Sequence, residues 1–129
     1  MNGYLLDTNV ALIGADTPDR LSRAIRKAVE RGPAFLSTVT YWEVVIKSMK
    51  GTLEVGDPRQ WWARTLDDLA LRPLPQSAEH IAAIYDLPPL HADPFDRALI
   101  AQATVEELVL VTTDSQIPGY ASKRLKVLV

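Results

Sequence analysis

The sequence predicts an α/β fold, a three-layer sandwich in which a central, mainly parallel sheet is flanked by helices. Short apolar runs of strand length alternate along the chain with longer segments whose apolar residues recur at helical spacing. The run at residues 108–111 is apolar at every position, as expected of a strand covered on both faces. The 129 residues, 47% of them apolar, suit one domain, which we expect to span residues 1–129.

The first third of the chain contains two predicted strands and the helix between them. The strands are residues 4–6 and 34–36, both short and apolar. The helix begins at Thr17 and Pro18, because threonine is a good N-cap and proline suits the first helical position. Gly32 ends this helix, as glycine commonly does.

Two helices are predicted in the middle of the chain. The first begins within residues 37–40, and its apolar face comprises Trp42, Val45, Ile46 and Met49. The second begins at Asp57 and Pro58 and carries the adjacent Trp61 and Trp62. Because adjacent residues point in different directions on a helix, we expect one tryptophan in the core and the other facing a partner.

The remaining elements complete the alternation. Residues 71–74 are a possible strand that Pro73 and the adjacent Pro75 disfavour. Ser77 caps a short helix, and Asp93 opens a longer one that leads to the strand at 108–111. A last strand is predicted at 125–129. The sheet is therefore mainly parallel, and its ligand site is expected beyond the carboxyl ends of its strands.

Several classes of protein are excluded by composition. The absence of cysteine excludes a disulfide scaffold, a thiol nucleophile and a cysteine-ligated metal. The six glycines lack the spacing of nucleotide-binding loops. The first residues do not form a signal peptide, and apolar runs stay short of the roughly 18 residues that span a membrane. We therefore expect a cytoplasmic protein with no membrane partner.

Acidic residues recur where strands end or helices begin. They are Asp7, Glu43, Asp93, Asp96 and Asp114. In a parallel sheet these positions meet at one edge, where clustered carboxylates would repel one another unless a cation neutralised them. Oxygen ligands without cysteine favour Mg²⁺ or Mn²⁺, which suit the hydrolysis of phosphodiester bonds.

Most of these acids also have a purely structural interpretation. Asp93 is an expected N-cap, Asp96 complements a helix dipole, and Asp114 can begin a turn. Asp7 is the exception, because we expect no cap or turn for it to serve. Glu43 completes a capping box if its helix begins at Thr40, but points toward the strand ends if the helix begins earlier, at Ser37 or Thr38.

Four segments of the chain resemble the PIN-domain family, and most closely its small bacterial toxin ribonucleases of the VapC type. The segments are LLDTNV at residues 5–10, STVTYWE at 37–43, HADPFDR at 91–97 and TTD at 112–114. The resemblance implies Mg²⁺- or Mn²⁺-dependent endonucleolytic cleavage of RNA and neutralisation by a cognate antitoxin. It also implies a homodimer and a toxin–antitoxin hetero-oligomer.

The resemblance assigns roles to particular residues. It makes Asp7, Glu43, Asp96 and Asp114 both the catalytic residues and the metal ligands. Their supporting residues are Thr8, Asn9, Asp93, Thr113 and Arg97, of which we expect Arg97 to pair with an acid or a phosphate. His91 is expected to have a structural or substrate-orienting role. Contacts to RNA phosphates are expected from the basic face of the first predicted helix and from Lys47, Lys50, Lys123, Arg124 and Lys126.

Two other functions are compatible with parts of this pattern. A phosphatase could use Asp7 as a phosphorylated nucleophile. Phosphatases that resemble haloacid dehalogenases need a second aspartate two residues later, where this chain has Asn9. Alternatively, a PIN-like domain could act as a binding or regulatory module without catalysis.

Overall fold

The computed structural model describes residues 2–90, 93–114, 117–122 and 125–129. Within these ranges, five strands form one sheet with the order β3-β2-β1-β4-β5. The strands are β1 (Tyr4–Leu6), β2 (Ala34–Ser37), β3 (Arg72–Leu74), β4 (Val109–Val111) and β5 (Lys126–Leu128). All four neighbouring pairs are parallel, which confirms the predicted sheet.

Helices cover both faces of this sheet. They are α1 (Thr8–Asp16), α2 (Arg23–Arg31), α3 (Thr38–Met49), α4 (Pro58–Asp68), α5 (Ala78–Ile84) and α6 (Pro94–Glu106). Single 3₁₀ turns occur at Pro18–Arg20 and Ile117–Tyr120. None of the helices in the described ranges is long and apolar enough to cross a membrane.

Two hydrophobic cores lie on opposite faces of the sheet, as the three-layer prediction requires. Successive side chains of a strand point to opposite faces, so β1 contributes Leu6 to one core and Leu5 to the other. The first core contains residues of α1, α2 and α4, including Trp61, and the second is built largely from α6. Trp61 is buried, which confirms that one tryptophan of the pair enters the core. Trp62 instead stacks on Tyr41, with ring centroids 4.7 Å apart.

The sequence analysis missed α1 and misplaced the start of the next helix. Residues 8–16 form a full helix directly after β1, whereas Thr17 and Pro18 begin only a 3₁₀ turn. Ser22 is the N-cap of α2, and its hydroxyl accepts a hydrogen bond from the Ile25 amide at 3.2 Å. The α1 segment is apolar along most of its length, so it lacks the polar face that makes a helical period visible.

The apolar face predicted for α3 was also wrong. The buried residues of this helix are Val39, Thr40, Glu43 and Val44. Trp42 and Met49 are 55% and 78% exposed. The helix begins at Thr38, because the Ser37 hydroxyl caps it by accepting a hydrogen bond from the Val39 amide at 2.9 Å. This start places Glu43 more than one turn into the helix, on the side that faces the sheet edge.

The strand predicted at residues 71–74, which proline disfavours, is present as β3. It lies at the edge of the sheet and pairs with β2, with Pro73 opposite Leu36. Proline cannot donate a hydrogen bond to a neighbouring strand, and it is tolerated at an edge because one side of the strand has no partner there.

Candidate active site: an acidic pocket at the sheet edge

A pocket of about 250 Å³ lies at the carboxyl ends of β1 and β4. Its walls come from the start of α1, the middle of α3, the start of α6 and the segment after β4. The lining residues are Asp7, Thr8, Asn9, Leu12, Glu43, Lys47, Asp93, Asp96 and Asp114. The five acidic residues singled out in the sequence therefore share one pocket, although they are separated by more than a hundred residues of chain.

Asp7 is buried at the junction of β1 and α1, with only 3% of its surface exposed. Its Oδ1 accepts a hydrogen bond from the Val10 amide at 2.8 Å and thereby caps α1, so the expectation that Asp7 has no cap to serve was wrong. Its Oδ2 accepts a hydrogen bond from the Thr112 hydroxyl. Burial raises the pKa of Asp7 to about 6, and the charges of Asp114 and Glu43 add to the effect, although both hydrogen bonds oppose it.

Glu43 is buried on α3, and both of its carboxylate oxygens have partners. Oε1 accepts a hydrogen bond from the Thr8 hydroxyl at 2.6 Å. The Thr8 hydroxyl also lies 3.1 Å from that of Thr40. Oε2 accepts a hydrogen bond from the Lys47 ammonium at 2.6 Å. Thr8 therefore contacts a site acid, as expected, whereas Thr40 was not anticipated from the sequence.

Lys47 is a positively charged member of the pocket; the sequence analysis expected it to contact RNA phosphates and did not pair it with Glu43. The pKa of Lys47 is raised, chiefly by the hydrogen bond to Glu43, and the charges of Asp93 and Asp96 add to the effect. Its ammonium therefore faces carboxylates of both α3 and α6. The four-residue spacing from Glu43 was a usable signal, because residues i and i+4 are neighbours on a helix surface.

The start of α6 supplies two carboxylates to the pocket. Asp93 is the N-cap of this helix, as predicted, and its Oδ1 accepts hydrogen bonds from the amides of Phe95 at 2.8 Å and Asp96 at 3.1 Å. Asp96 lies in the first turn of the helix. Capping thus fixes where the helix begins, and with it the position of the Asp96 carboxylate.

The segment after β4 closes the pocket on the other side. The Thr112 hydroxyl contacts Asp7 and also accepts a hydrogen bond from the Asp114 amide at 2.9 Å. The Asn9 side chain donates a hydrogen bond to the Thr113 hydroxyl at 3.3 Å. Asn9 and Thr113 therefore join the start of α1 to this segment, while Thr112, which was not singled out in the sequence, holds Asp7.

Comparison with known proteins agrees with this fold. The family model described as the PIN domain matches residues 4–123, almost the whole chain. The chain belongs to the PIN-domain family. A search of curated proteins finds no match to this PIN domain.

Solved structures with the same fold include three toxin–antitoxin structures. They are VapBC2 from Rickettsia felis bound to a promoter DNA fragment, DNA-bound VapBC from Salmonella typhimurium, and VapBC-5 from Mycobacterium tuberculosis. Their TM-scores are 0.70, 0.71 and 0.66, and their sequence identities to the PIN domain are 18%, 17% and 17%. The alignments cover 96%, 98% and 99% of this chain and 96%, 98% and 98% of theirs. At such low identity the likeness establishes the fold.

The pocket of this PIN domain has the chemistry of a site for a hard divalent cation. Among the described residues, no three acidic or histidine side chains already converge as a closed metal cage would require. Magnesium commonly binds through one or two carboxylates and keeps several waters, so an open pocket of oxygen ligands suits it. The raised pKa of Asp7 is a cost of burial that a bound cation would relieve. The residues therefore fit Mg²⁺ or Mn²⁺.

Arg97 is held by the connection between α5 and α6 of the PIN domain. Its guanidinium donates hydrogen bonds to the backbone carbonyls of Pro88 at 2.9 Å, Ile84 at 3.3 Å and Leu87 at 3.4 Å. It also lies 3.4 Å from the Tyr120 hydroxyl. These contacts indicate that Arg97 stabilises the connection between α5 and α6. The expected roles of His91, Lys123 and Arg124 concern residues outside the described ranges.

Proposed function

We propose that residues 1–129 form a single nuclease domain, a Mg²⁺- or Mn²⁺-dependent endoribonuclease that is the toxin of a toxin–antitoxin pair. The observation that carries the proposal is the acidic pocket. Carboxylates from four separate segments of the chain line it. The pKa of at least one of them, Asp7, is raised because burial disfavours its charged form. Such a cluster is costly unless a cation and its chemistry require it.

In this proposal Asp7 and Asp96 are the principal metal ligands, and Glu43 and Asp114 complete the set. When bound, the cation lowers the pKa of a coordinated water and neutralises charge on the phosphate. The chain positions the carboxylates beforehand. The Val10 amide and the Thr112 hydroxyl fix Asp7, and the Thr8 hydroxyl orients Glu43. Asp93 sets the position of Asp96 through the cap of α6.

The proposed partners are an RNA substrate and a cognate antitoxin. The similar structures from Rickettsia felis and Salmonella typhimurium are of VapBC bound to DNA, and that from Mycobacterium tuberculosis is described as a member of the VapBC family of toxin–antitoxin systems. By analogy we propose a homodimer and a hetero-oligomer with the antitoxin, both in the cytoplasm. If a short reading frame adjoins the gene of this chain, co-expression of the two products should yield a stable complex with reduced nuclease activity.

The phosphatase alternative is less well supported. It needs an acid at the position of Asn9, and this side chain instead donates a hydrogen bond to Thr113.

Cleavage of a structured RNA such as transfer RNA, followed on gels with Mn²⁺ present, tests the proposal. Asp7→Asn and Asp96→Asn should each reduce cleavage by about 100-fold or more, because each removes charge that stabilises the transition state. Asp67→Asn is the matched control, because Asp67 is an exposed aspartate on α4. Wild-type activity in either pocket variant, or undiminished cleavage in excess chelator, would contradict the proposal. If the chain binds the antitoxin but cleaves no RNA either with or without Mn²⁺, the result would instead support a binding module.

A further inference from the structure

The contact between Lys47 and Glu43 differs from an ordinary ion pair on a helix surface. Pairs at this spacing usually lie in solvent and contribute only a few tenths of a kcal/mol. Here the Glu43 side chain is 5% exposed and points into the acidic pocket, and the Lys47 side chain is 45% exposed. The lysine therefore brings its charge from the solvent side of α3 to a buried carboxylate.

This contact places a positive charge beside a carboxylate that the proposed function assigns to a metal ion. The Thr8 hydroxyl binds Oε1 of Glu43, and the Lys47 ammonium binds Oε2. A divalent cation that binds Oε2 brings a second positive charge next to the ammonium, and the repulsion between the two charges favours movement of the ammonium away from Glu43. Because the side chain of lysine is flexible and here nearly half exposed, its head can move toward the pocket mouth while its stem stays on α3.

An RNA strand would meet a strongly negative pocket. Five carboxylates line it, and among the described lining residues Lys47 alone carries a positive side chain. A phosphodiester approaching this pocket is repelled unless cations outweigh the acids near it. Because Lys47 lines the pocket and its side chain is 45% exposed, an ammonium displaced from Glu43 would remain available to such a phosphate.

We propose that Lys47 has two successive roles in this pocket: it is the counter-ion of Glu43 in the metal-free chain, and it binds a phosphate of the RNA strand once a divalent cation has engaged Glu43. The second role rests on the proposed function, whereas the first requires only that the pocket binds a cation. The two roles predict opposite effects when the lysine charge is removed.

Lys47→Met and Lys47→Arg, with Arg72→Met as the control, test both roles. Arg72 is an exposed cation at the start of β3, away from the pocket lining. In calorimetric titration with MnCl₂ and no RNA, we expect Lys47→Met to bind Mn²⁺ about three- to tenfold more tightly than wild type, because a competing cation is gone. Arg72→Met should bind Mn²⁺ as wild type does.

In RNA cleavage at saturating Mn²⁺, we expect Lys47→Met to raise KM about tenfold and to change kcat less. The slope of log KM against log salt should become shallower by about 0.7, the value for one lost phosphate contact to a single strand. Lys47→Arg should retain most of the affinity for RNA, because it keeps a charged donor. Thermal unfolding of each variant verifies that it is folded.

Each role can fail separately. Unchanged or weaker Mn²⁺ binding by Lys47→Met would overturn the counter-ion role. An unchanged KM and salt slope would overturn the phosphate role. If the wild-type chain cleaves no RNA, the proposed function and the phosphate role fail together, and the Mn²⁺ titration still decides the counter-ion role.

Discussion

Asp7 combines two requirements that oppose each other. As the N-cap of α1 it must accept a hydrogen bond from the Val10 amide, which any carboxylate or amide oxygen can do. As a buried acid near Asp114 and Glu43 it is costly to ionise, and its pKa is raised to about 6. The residue therefore stabilises the helix while its charge destabilises the fold.

This opposition predicts the pH dependence of stability in the absence of metal. The pKa of an aspartate is about 4 in an unfolded chain, so the folded state is favoured below that pH and loses this advantage as pH rises through 6. The loss amounts to roughly 2–3 kcal/mol. Asp7→Asn keeps the cap and removes the charge, so in excess chelator it should be more stable than wild type at pH 7.5 but not at pH 4.

Urea unfolding at pH 4, 5, 6 and 7.5 measures this difference. Asp67→Asn, which changes an exposed aspartate, should follow the wild-type profile. If the free energies of unfolding of Asp7→Asn and of wild type changed in parallel with pH across the whole range, ionisation of Asp7 would not be what lowers stability at high pH.

At the scale of single residues, the acids of the pocket were predictable, and two of their partners were not. Four of the five acids follow a strand or lie at the start of a helix, and those positions meet at one sheet edge for any parallel order of strands; the fifth, Glu43, lies in the second turn of α3. Which hydroxyl holds Asp7 depends on the path of the chain after β4. The structure places Thr112 there, a residue given no role in the sequence, while Thr113 accepts the hydrogen bond from Asn9. Lys47 was expected to contact RNA phosphates, but its pairing with Glu43 was missed because the buried face of α3 was misassigned.

At the scale of elements, a buried histidine joins α5 to α6. His80 is 2% exposed, and its Nδ1 accepts a hydrogen bond from the Ser77 amide at 3.0 Å in a capping box. Because Nδ1 is the acceptor there, Nε2 carries the proton and donates to Glu106 on α6, with 2.7 Å between the two atoms. One side chain thus caps a short helix and attaches it to a longer one.

His80→Ala should therefore destabilise the chain by about 2–3 kcal/mol, because it removes a cap and leaves buried polar groups without their partner. Glu79→Ala changes the exposed neighbouring residue of α5 and should cost less than about 0.5 kcal/mol. Chemical denaturation at neutral pH compares the two. Equal stability of both variants would contradict a joining role for His80.

Element boundaries were predictable where a capping residue marks them. Asp57, Ser77 and Asp93 each precede the helix that the sequence placed there, and each accepts the expected hydrogen bond from that helix. The helix α1 was missed because it is apolar on most sides and follows β1 with one residue between them. Its N-cap is Asp7, and a single aspartate after a strand does not by itself distinguish a cap from a site residue.

At the scale of the whole molecule, the pocket connects segments that otherwise pack on different cores. Asp7 follows β1, Glu43 lies on α3, Asp96 lies on α6, and Asp114 follows β4. A cation bound among them would cross-link these segments in the folded state alone, because the unfolded chain does not hold the carboxylates together. Metal binding should then stabilise the entire fold.

Thermal unfolding with and without MnCl₂ checks this expectation at constant ionic strength. With the metal at about ten times its Kd, the gain is about 1.4 kcal/mol, which raises Tm by roughly 4–7 °C for a domain of this size. Asp96→Asn should lose most of this rise. An equal rise in the variant would place the stabilising metal outside the pocket.

The three-layer architecture was predictable as a class, because alternation of strands and helices leaves few arrangements that bury both sheet faces. The order of the strands was not, since it depends on contacts between segments distant in sequence. The strand β3 is an example. Pro73 disfavours a strand when only the sequence is considered, but it is compatible with a strand at the edge of the sheet, which is where β3 lies.

The position of β3 at the edge of the sheet affects how other polypeptides can associate with the molecule. An outer strand with a complete series of amide donors is a template on which another polypeptide can add a strand, which is a common route to aggregation. In β3 the ring of Pro73 removes one of those donors. Growth of the sheet from this side is thereby discouraged, so copies or partners that join the molecule here are expected to attach through its helical surfaces.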